Sequence, residues 1–240
     1  MATHYCAQDD VSDFLQVGAL GSGTTPTDTQ VDSFINMAEE RIDQLTDHAW
    51  HTSRAKTVTE ERGRIQKVTS NSINDRGRIQ LAHYPILDMT SGTDKLYVWT
   101  GGDYVEYIAN KTGNNTVTNQ GNYDWWVDNE RGNLYLGSYN TFNLLSDAPS
   151  GVEAYVTYRY ATAATPADIK LATIYFTAAT IAMNDDLNLM AEGDDSMNNQ
   201  TKSEKFEEMA MKILKDGRRL GRSMPMSRAI GGFATGRVTQ

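Results

Sequence analysis

The apolar periodicity of this chain changes twice, and the two changes restrict its fold more than any other feature. Val31, Phe34, Ile35, Ala38, Ile42 and Leu45 recur at spacings of three and four, one stripe of an amphipathic helix spanning 28–46. From 54 to 160 that spacing is lost. The sequence there is rich in Thr, Val, Ile, Tyr and Trp, with Gly, Asn and Asp between the runs, which is strand-and-turn composition. Helical spacing returns after Thr165. Ile169, Ala172, Thr173, Phe176, Ala179, Thr180 and Met183 form one stripe, and Phe206, Met209, Ala210, Ile213 and Leu214 form another. The expected class is α+β: a helical bundle of a long first helix and two C-terminal helices, an inserted small antiparallel β domain, and an extended C-terminal arm. Residues 1–53 and 161–221 would make the bundle, 54–160 the insertion and 222–240 the arm.

Local signals refine this outline. A short helix is expected over 9–15, with Val11, Phe14 and Leu15 on one side. Thr27 with Gln30 has the spacing of a capping box, and so does Thr201 with Glu204. Thr165 can cap the next helix and Pro166 suits its first turn. The last helix should stop at Gly217 or Gly221. Strands are expected at 56–59, 64–69, 78–81, 86–91, 95–99, 104–108, 124–127, 133–136 and 152–160. The turns fall at Arg62-Gly63, Arg76-Gly77, Gly101-Gly102-Asp103 and Arg131-Gly132. Arg-Gly-Arg-Ile-Gln occurs at 62–66 and again at 76–80, a repeated hairpin element at most.

A chain of 240 residues can bury a core without disulfide or metal staples. Its single cysteine, Cys6, allows no disulfide within the chain, and a reducing compartment is the expectation. The start shows no secretory signal pattern, and no run reaches the roughly 18 apolar residues of a membrane helix, so no membrane partner is expected. The net charge of −9 argues against a general nucleic-acid binder. That charge is uneven. Residues 1–53 carry nine acids and one base, Arg41, whereas 212–240 carry seven bases and one acid, Asp216. Such a split suits head-to-tail contacts or a basic tail seeking an acidic partner; it equally suits a solvated helix face and a frayed end.

The search for chemistry yields little. His48-x-x-His51 beside Asp47 has metal-ligand spacing but no third ligand near it in sequence, and reads as polar termination of a helix. Asp185, Asp186, Glu192, Asp194 and Asp195 do not fit a calcium loop and read as a solvated linker. Tyr104, Tyr107, Tyr123, Trp125 and Trp126 could stack on sugars or bases. The plainer account is the aromatic core of a small β domain. Adjacent Trp125 and Trp126 on a strand should face opposite ways, one in the core and one in an interface or groove. No Gly-x-Ser-x-Gly elbow, Walker loop or His-Glu-x-x-His is present. No catalytic centre, cofactor or metal is expected.

Three segments resemble one family. Ile35-x-x-Ala38-x-x-x-Ile42-Asp43-x-x-Thr46, closed by Trp50, is similar to the first long helix of tailed-phage head–tail connector proteins, also called adaptors or head-completion proteins. His83-Tyr84-Pro85-Ile86-Leu87-Asp88-Met89-Thr90-Ser91 resembles the strand that follows in that family. Pro166-x-x-Ile169-Lys170-x-Ala172 resembles the start of the next helix. The segment 93–160 is larger than in the compact members. The resemblance implies a structural, non-enzymatic role in the virion neck, in a chain made in the host cytoplasm. It implies a homo-oligomeric, twelve-fold ring below the portal protein and above a stopper or tail-completion protein, with genomic DNA only passing through its channel. A runner-up reading is a carbohydrate- or partner-binding β module on a helical scaffold. The arm would be the partner-binding site, with the portal as its partner. Arg218, Arg219, Arg222 and Arg228 offer forked donors to carboxylates, and Met224, Met226 and Phe233 offer adaptable apolar anchors.

Overall fold

The computed structural model describes residues 4–68, 76–116, 123–137, 152–183 and 199–217. It is an α+β fold. In chain order the elements are α1 (Gln8–Leu15), α2 (Asp28–Thr46), a 3-10 turn (Thr52–Arg54), β1 (Lys56–Val68), β2 (Arg76–Gln80), β3 (Lys95–Trp99), β4 (Tyr104–Glu106), α3 (Tyr107–Asn110), β5 (Gly113–Asn114), β6 (Trp125–Asp128), β7 (Asn133–Leu136), β8 (Val152–Tyr160), α4 (Ala167–Met183) and α5 (Asn199–Asp216).

Helix α2 starts where its sequence says. The Thr27 hydroxyl accepts from the Gln30 amide, and the Gln30 side chain accepts from the Thr27 amide at 2.8 Å. Val31, Ile35, Ala38 and Ile42 point inward as one stripe. Helix α4 is buried on most of its circumference, because α1, α2 and α5 all pack on it. Its buried Thr173 hydroxyl is satisfied by donating to the Ile169 carbonyl at 2.9 Å. The helices share two apolar clusters. Ala38, Ile42, Trp50, Ile169, Ala172, Phe176, Ala210 and Leu214 form one with Tyr5; Cys6, Val11, Val31, Ile35, Ile174 and Ile181 form the other.

The strands run in the order β4-β3-β8-β1-β2-β7-β6-β5. Every neighbouring pair is antiparallel except β5 with β6, which is parallel. Strand β1 joins the two halves: its first part pairs with β8 and its last three residues pair with β2. Leu96, Val98 and Val156 from one half meet Ile79, Val127, Leu134 and Leu136 from the other in a single cluster, so the sheet curls around one core. Both Arg-Gly-Arg-Ile-Gln copies lie on the paired strands β1 and β2, and each places its isoleucine, Ile65 or Ile79, in that core.

Several expectations are corrected. The strands expected at 56–59 and 64–69 are one strand, bulged between Val58 and Glu61, with Glu60 at φ 56°. Arg62-Gly63 and Arg76-Gly77 are strand residues, not turns. Gly63 lies close to Ile79: a Cβ there would stand 3.2 Å from the Ile79 side chain, a tight contact. The segment 86–91 is not a strand. Beyond the Ile86–Tyr160 bridge and the Leu87 amide's bond to the Arg159 carbonyl at 2.9 Å, side chains take over: the Met89 amide donates to Asn115 and the Thr90 amide to Asp94, both at 2.8 Å. The strand expected at 104–108 gives way to the helical turn α3 after Glu106. Met183 is exposed rather than part of the α4 stripe, and α5 begins at Asn199, before Thr201. Residues 222–240, the expected arm, lie outside the described residues.

Ile42→Ala removes a fully buried side chain where α2 and α4 meet. It should lower unfolding free energy by about 2–5 kcal/mol. Met37→Ala, on the exposed side of the same helix, should change it by less than about 0.5 kcal/mol. Urea unfolding followed by circular dichroism checks both.

Candidate functional site

Arg218, Arg219, Arg222, Met224, Met226, Arg228 and Phe233, the residues expected to bind the partner, lie outside the described residues, as do Asp185, Asp186, Glu192, Asp194 and Asp195. The described residues instead contain two places of interest, the joint between bundle and sheet and the outward face of the sheet.

The joint brings together all three segments singled out in the sequence. The Ala49 carbonyl, just past α2, accepts from the Thr162 amide at 2.9 Å. The Pro85 carbonyl accepts from the Ala161 amide at 3.1 Å, and Ile86 bridges Tyr160 at the end of β8. His83 stacks on the Tyr160 ring at 4.5 Å, and His48 tilts against the same ring at 5.8 Å. Seven residues later α4 begins, and its Ile169 and Ala172 pack on Ile42 and Trp50. Burial beside Asp47 and Asp43 pushes the Tyr160 phenol up to about 12, desolvation being the larger cause.

A buried ionic network locks this joint to the start of the chain. Glu39 Oε1 accepts from the His4 and Tyr5 amides at 2.6 and 2.7 Å. The Arg54 guanidinium reaches Glu39 Oε2 at 3.1 Å and Asp43 Oδ2 at 3.0 Å. The Tyr5 hydroxyl donates to Asp43 and accepts from the Trp50 amide at 2.8 Å. Desolvation raises the Asp43 carboxyl, against the lowering by Tyr5 and Arg54. The same burial carries the Tyr5 phenol well above its ordinary value. Cys6, next in the chain, is pushed up to about 12 by burial and then by Glu39 and Asp10, which makes it an unreactive thiol.

His48 and His51 take separate partners. His48 Nε2 meets the Thr162 hydroxyl at 2.8 Å, while His51 Nδ1 accepts from the Ser53 amide at 3.2 Å and its ring stacks on His4. Among the described residues no group of three His, Cys, Asp or Glu side chains is placed to hold a metal ion.

Most of the aromatic rings noted in the sequence are core. Trp125 and Trp126 do face opposite ways, but both are buried, which corrects the expectation that one is exposed. Trp125 joins the sheet core, and Trp126 stacks on Tyr135, its cross-strand neighbour, with ring centroids 5.6 Å apart. Gly137 leaves room for that ring, since a Cβ there would lie 2.8 Å from it. Tyr107 is buried too, and Tyr123 is half-buried.

The exposed aromatic surface is elsewhere. On the outward side of β3, β4 and β8, Tyr97 stacks on Tyr155 at 4.8 Å, Tyr104 leans on Tyr155 at 4.8 Å, and Trp99 leans on Tyr104 at 5.1 Å. Tyr104 also bonds to the Glu153 carboxylate. Tyr97, Trp99 and Tyr155 were not singled out in the sequence. The signal for them was the alternation Lys95-Leu96-Tyr97-Val98-Trp99, in which Leu96 and Val98 face the core.

No family model and no curated protein sequence matches the chain significantly. Among solved structures, it is similar to a chain in the neck of an empty GTA particle computed with C6 symmetry. The two are 14% identical, the match covers 82% of this chain and 87% of that one, and the TM-score is 0.38. A TM-score of that size assigns neither fold nor function.

Arg54→Ala should leave Glu39 and Asp43 buried without their cation, at a cost of about 3–5 kcal/mol near neutral pH. An acid whose folded pKa is raised gives stability below its unfolded value and loses it as pH rises through the folded value. Losing Arg54 raises the Asp43 carboxyl further. Urea midpoints should therefore show the gap between variant and parent narrowing as pH falls from about 7 toward the carboxyl range near 4.

Proposed function

We propose that this chain is a structural head–tail connector of a tailed virus. The observation that carries the reading is the joint. Three segments that resemble the connector family in sequence order, the α2 stripe ending in Trp50, the Tyr84-Pro85-Ile86 step and the start of α4, are not scattered over the fold. They form one continuous piece of structure. A connector transmits load between a head and a tail, and such a role calls for rigid helices tied to whatever they carry. Here the tie is a set of backbone hydrogen bonds, one shared tyrosine and a buried ionic network.

The finer proposal is a homo-oligomeric ring, twelve-fold by the family resemblance, between portal and stopper or tail-completion protein, with DNA passing through. Its arm, with Arg218, Arg219, Arg222, Met224, Met226, Arg228 and Phe233, docks on the portal. The role needs no catalytic centre and no metal.

The decisive measurement is imaging of particles made with and without the chain. Particles should carry many copies in the neck, and heads made without it should fail to take tails. Normal joining in its absence sinks the reading. Deleting residues 222–240 should leave the circular dichroism of the bundle unchanged while stopping attachment to portal-bearing heads. Element analysis of the purified chain should find no stoichiometric transition metal; one that disappears in a His48→Ala/His51→Ala variant would show the role to be incompletely described.

A further inference from the structure

The solvated face of an antiparallel sheet ordinarily carries polar side chains opposite its buried ones. In the β4-β3-β8-β1 half the buried rows follow that rule, with Leu96, Val98, Ala154 and Val156 in the core. The outward rows do not: Tyr97, Trp99, Tyr104 and Tyr155 form a chain of touching rings, and Trp99 and Tyr104 are each 37% exposed. Arg62 pairs across from Tyr155, Arg64 from Glu153, and Lys95 precedes Tyr97 on the same side of β3. Exposed Trp and Tyr beside Arg is the composition of an interface hot spot.

We propose that this face binds a second copy of the chain, seated against the acidic outer side of the neighbour's α1. The inference rests on the connector reading, which supplies the need for copies to meet. Two observations choose the occupant. The first is the tilt of the rings: Trp99 lies at 60° to Tyr104, and Tyr104 at 56° to Tyr155. They make a corrugated surface that side chains can fill, not the flat platform a sugar or base stacks on. The second is charge. Arg62 approaches Glu153 only to 3.9 Å, with the two side chains 73% and 50% exposed, and such a pair adds little. The face thus sets Arg62, Arg64 and Lys95 against Glu153 and Glu106, a positive balance in which Arg64 and Lys95 are left without an ion pair among the described residues. On α1, Asp9 and Asp13 stand one turn apart on the exposed side, and they too have no ion-pair partner among the described residues. Asp10, between them in sequence, is partly exposed and takes Lys170 at 2.8 Å. The cations and the acids lie on different elements, so the contact is head-to-tail, and repeated head-to-tail contacts close into rings when the rotation allows.

The test uses the purified full chain in sedimentation equilibrium, over graded concentration at low and high salt. Wild type should self-associate, less at high salt. Trp99→Ala should weaken association about tenfold or more, as loss of a hot-spot ring does. R62E/R64E should abolish it, and so should D9K/D13K. Mixing these two variants should restore association between them, because opposed charges are again brought together in trans. Restoration also guards against misfolding, since an unfolded variant cannot be rescued by a partner. A wild type that stays monomeric at every concentration overturns the inference, as does association indifferent to these changes or a mixture that fails to associate. Binding of a glycan by the monomer, lost in Trp99→Ala, overturns it in favour of a sugar site. None of these outcomes touches the connector reading, which stands or falls on the presence of the chain in particle necks.

Discussion

One guanidinium holds the start of this chain in place. Arg54 sits between Glu39 and Asp43, both buried, with its plane over the Tyr5 ring at 5.6 Å. Replacing such a group by apolar residues often leaves a protein as stable or more so, so the reason for keeping it must lie elsewhere. Its effect here is on arrangement. Glu39 accepts three bonds, from the amides of residues 4 and 5 and from Arg54. Asp43 takes the Tyr5 hydroxyl and Arg54, and Lys56, at the start of β1, caps the Asp43 carbonyl at 2.7 Å. Any slip of the N-terminal segment along α2, or of the turn before β1, would strand two carboxylates in a dry place. The network thus fixes where the sheet leaves the bundle.

From that point the joint follows. With Trp50 pinned by the Tyr5 hydroxyl and by Thr46, the Ala49 carbonyl is presented to Thr162, and the chain returning from β8 is directed into α4. Tyr160 sits between the two imidazoles, His83 from the sheet side and His48 from the bundle side. The bundle and the sheet keep separate apolar clusters, and what passes between them is polar and aromatic. By contrast the Arg41–Glu207 pair is bidentate but exposed, at 2.7 Å and 3.0 Å, and contributes no more than about 1 kcal/mol.

The helices were legible in the sequence because local signals and tertiary packing agree there. Thr27 and Gln30 form the box their spacing announces, and Ile35, Ala38 and Ile42 bury the stripe they draw. The sheet was legible in composition but not in detail. Glycine reads as a turn, yet Gly63 and Gly77 are in strands, Gly63 packed tightly against Ile79. A run such as Ile86 to Ser91 has strand composition, yet only Ile86 and Leu87 reach β8, and beyond them the side chains of Asn115 and Asp94 satisfy the Met89 and Thr90 amides. Nor could the sequence show that Arg54 is the partner of Glu39 and Asp43. The acids had read as part of a solvated negative face, and only the return of the chain after α2 brings the cation to them.

The burial of both Trp125 and Trp126 changes what the enlarged β segment can be. Adjacent residues on a strand occupy opposite faces, so two buried tryptophans require cover on both sides of β6. In the β2-β7-β6 half Trp126 stacks on Tyr135 on one side, and Trp125 enters the curled core on the other. In the other half, Tyr97, Trp99, Tyr104 and Tyr155 on β3, β4 and β8 form a run of touching outward rings. That division gives the two halves different work. One is packed on both faces of β6, and the other presents an exposed aromatic face whose orientation is fixed through β1 and the Arg54 network. On the connector reading proposed above, the enlarged β segment adds contact area held at a set angle to the bundle.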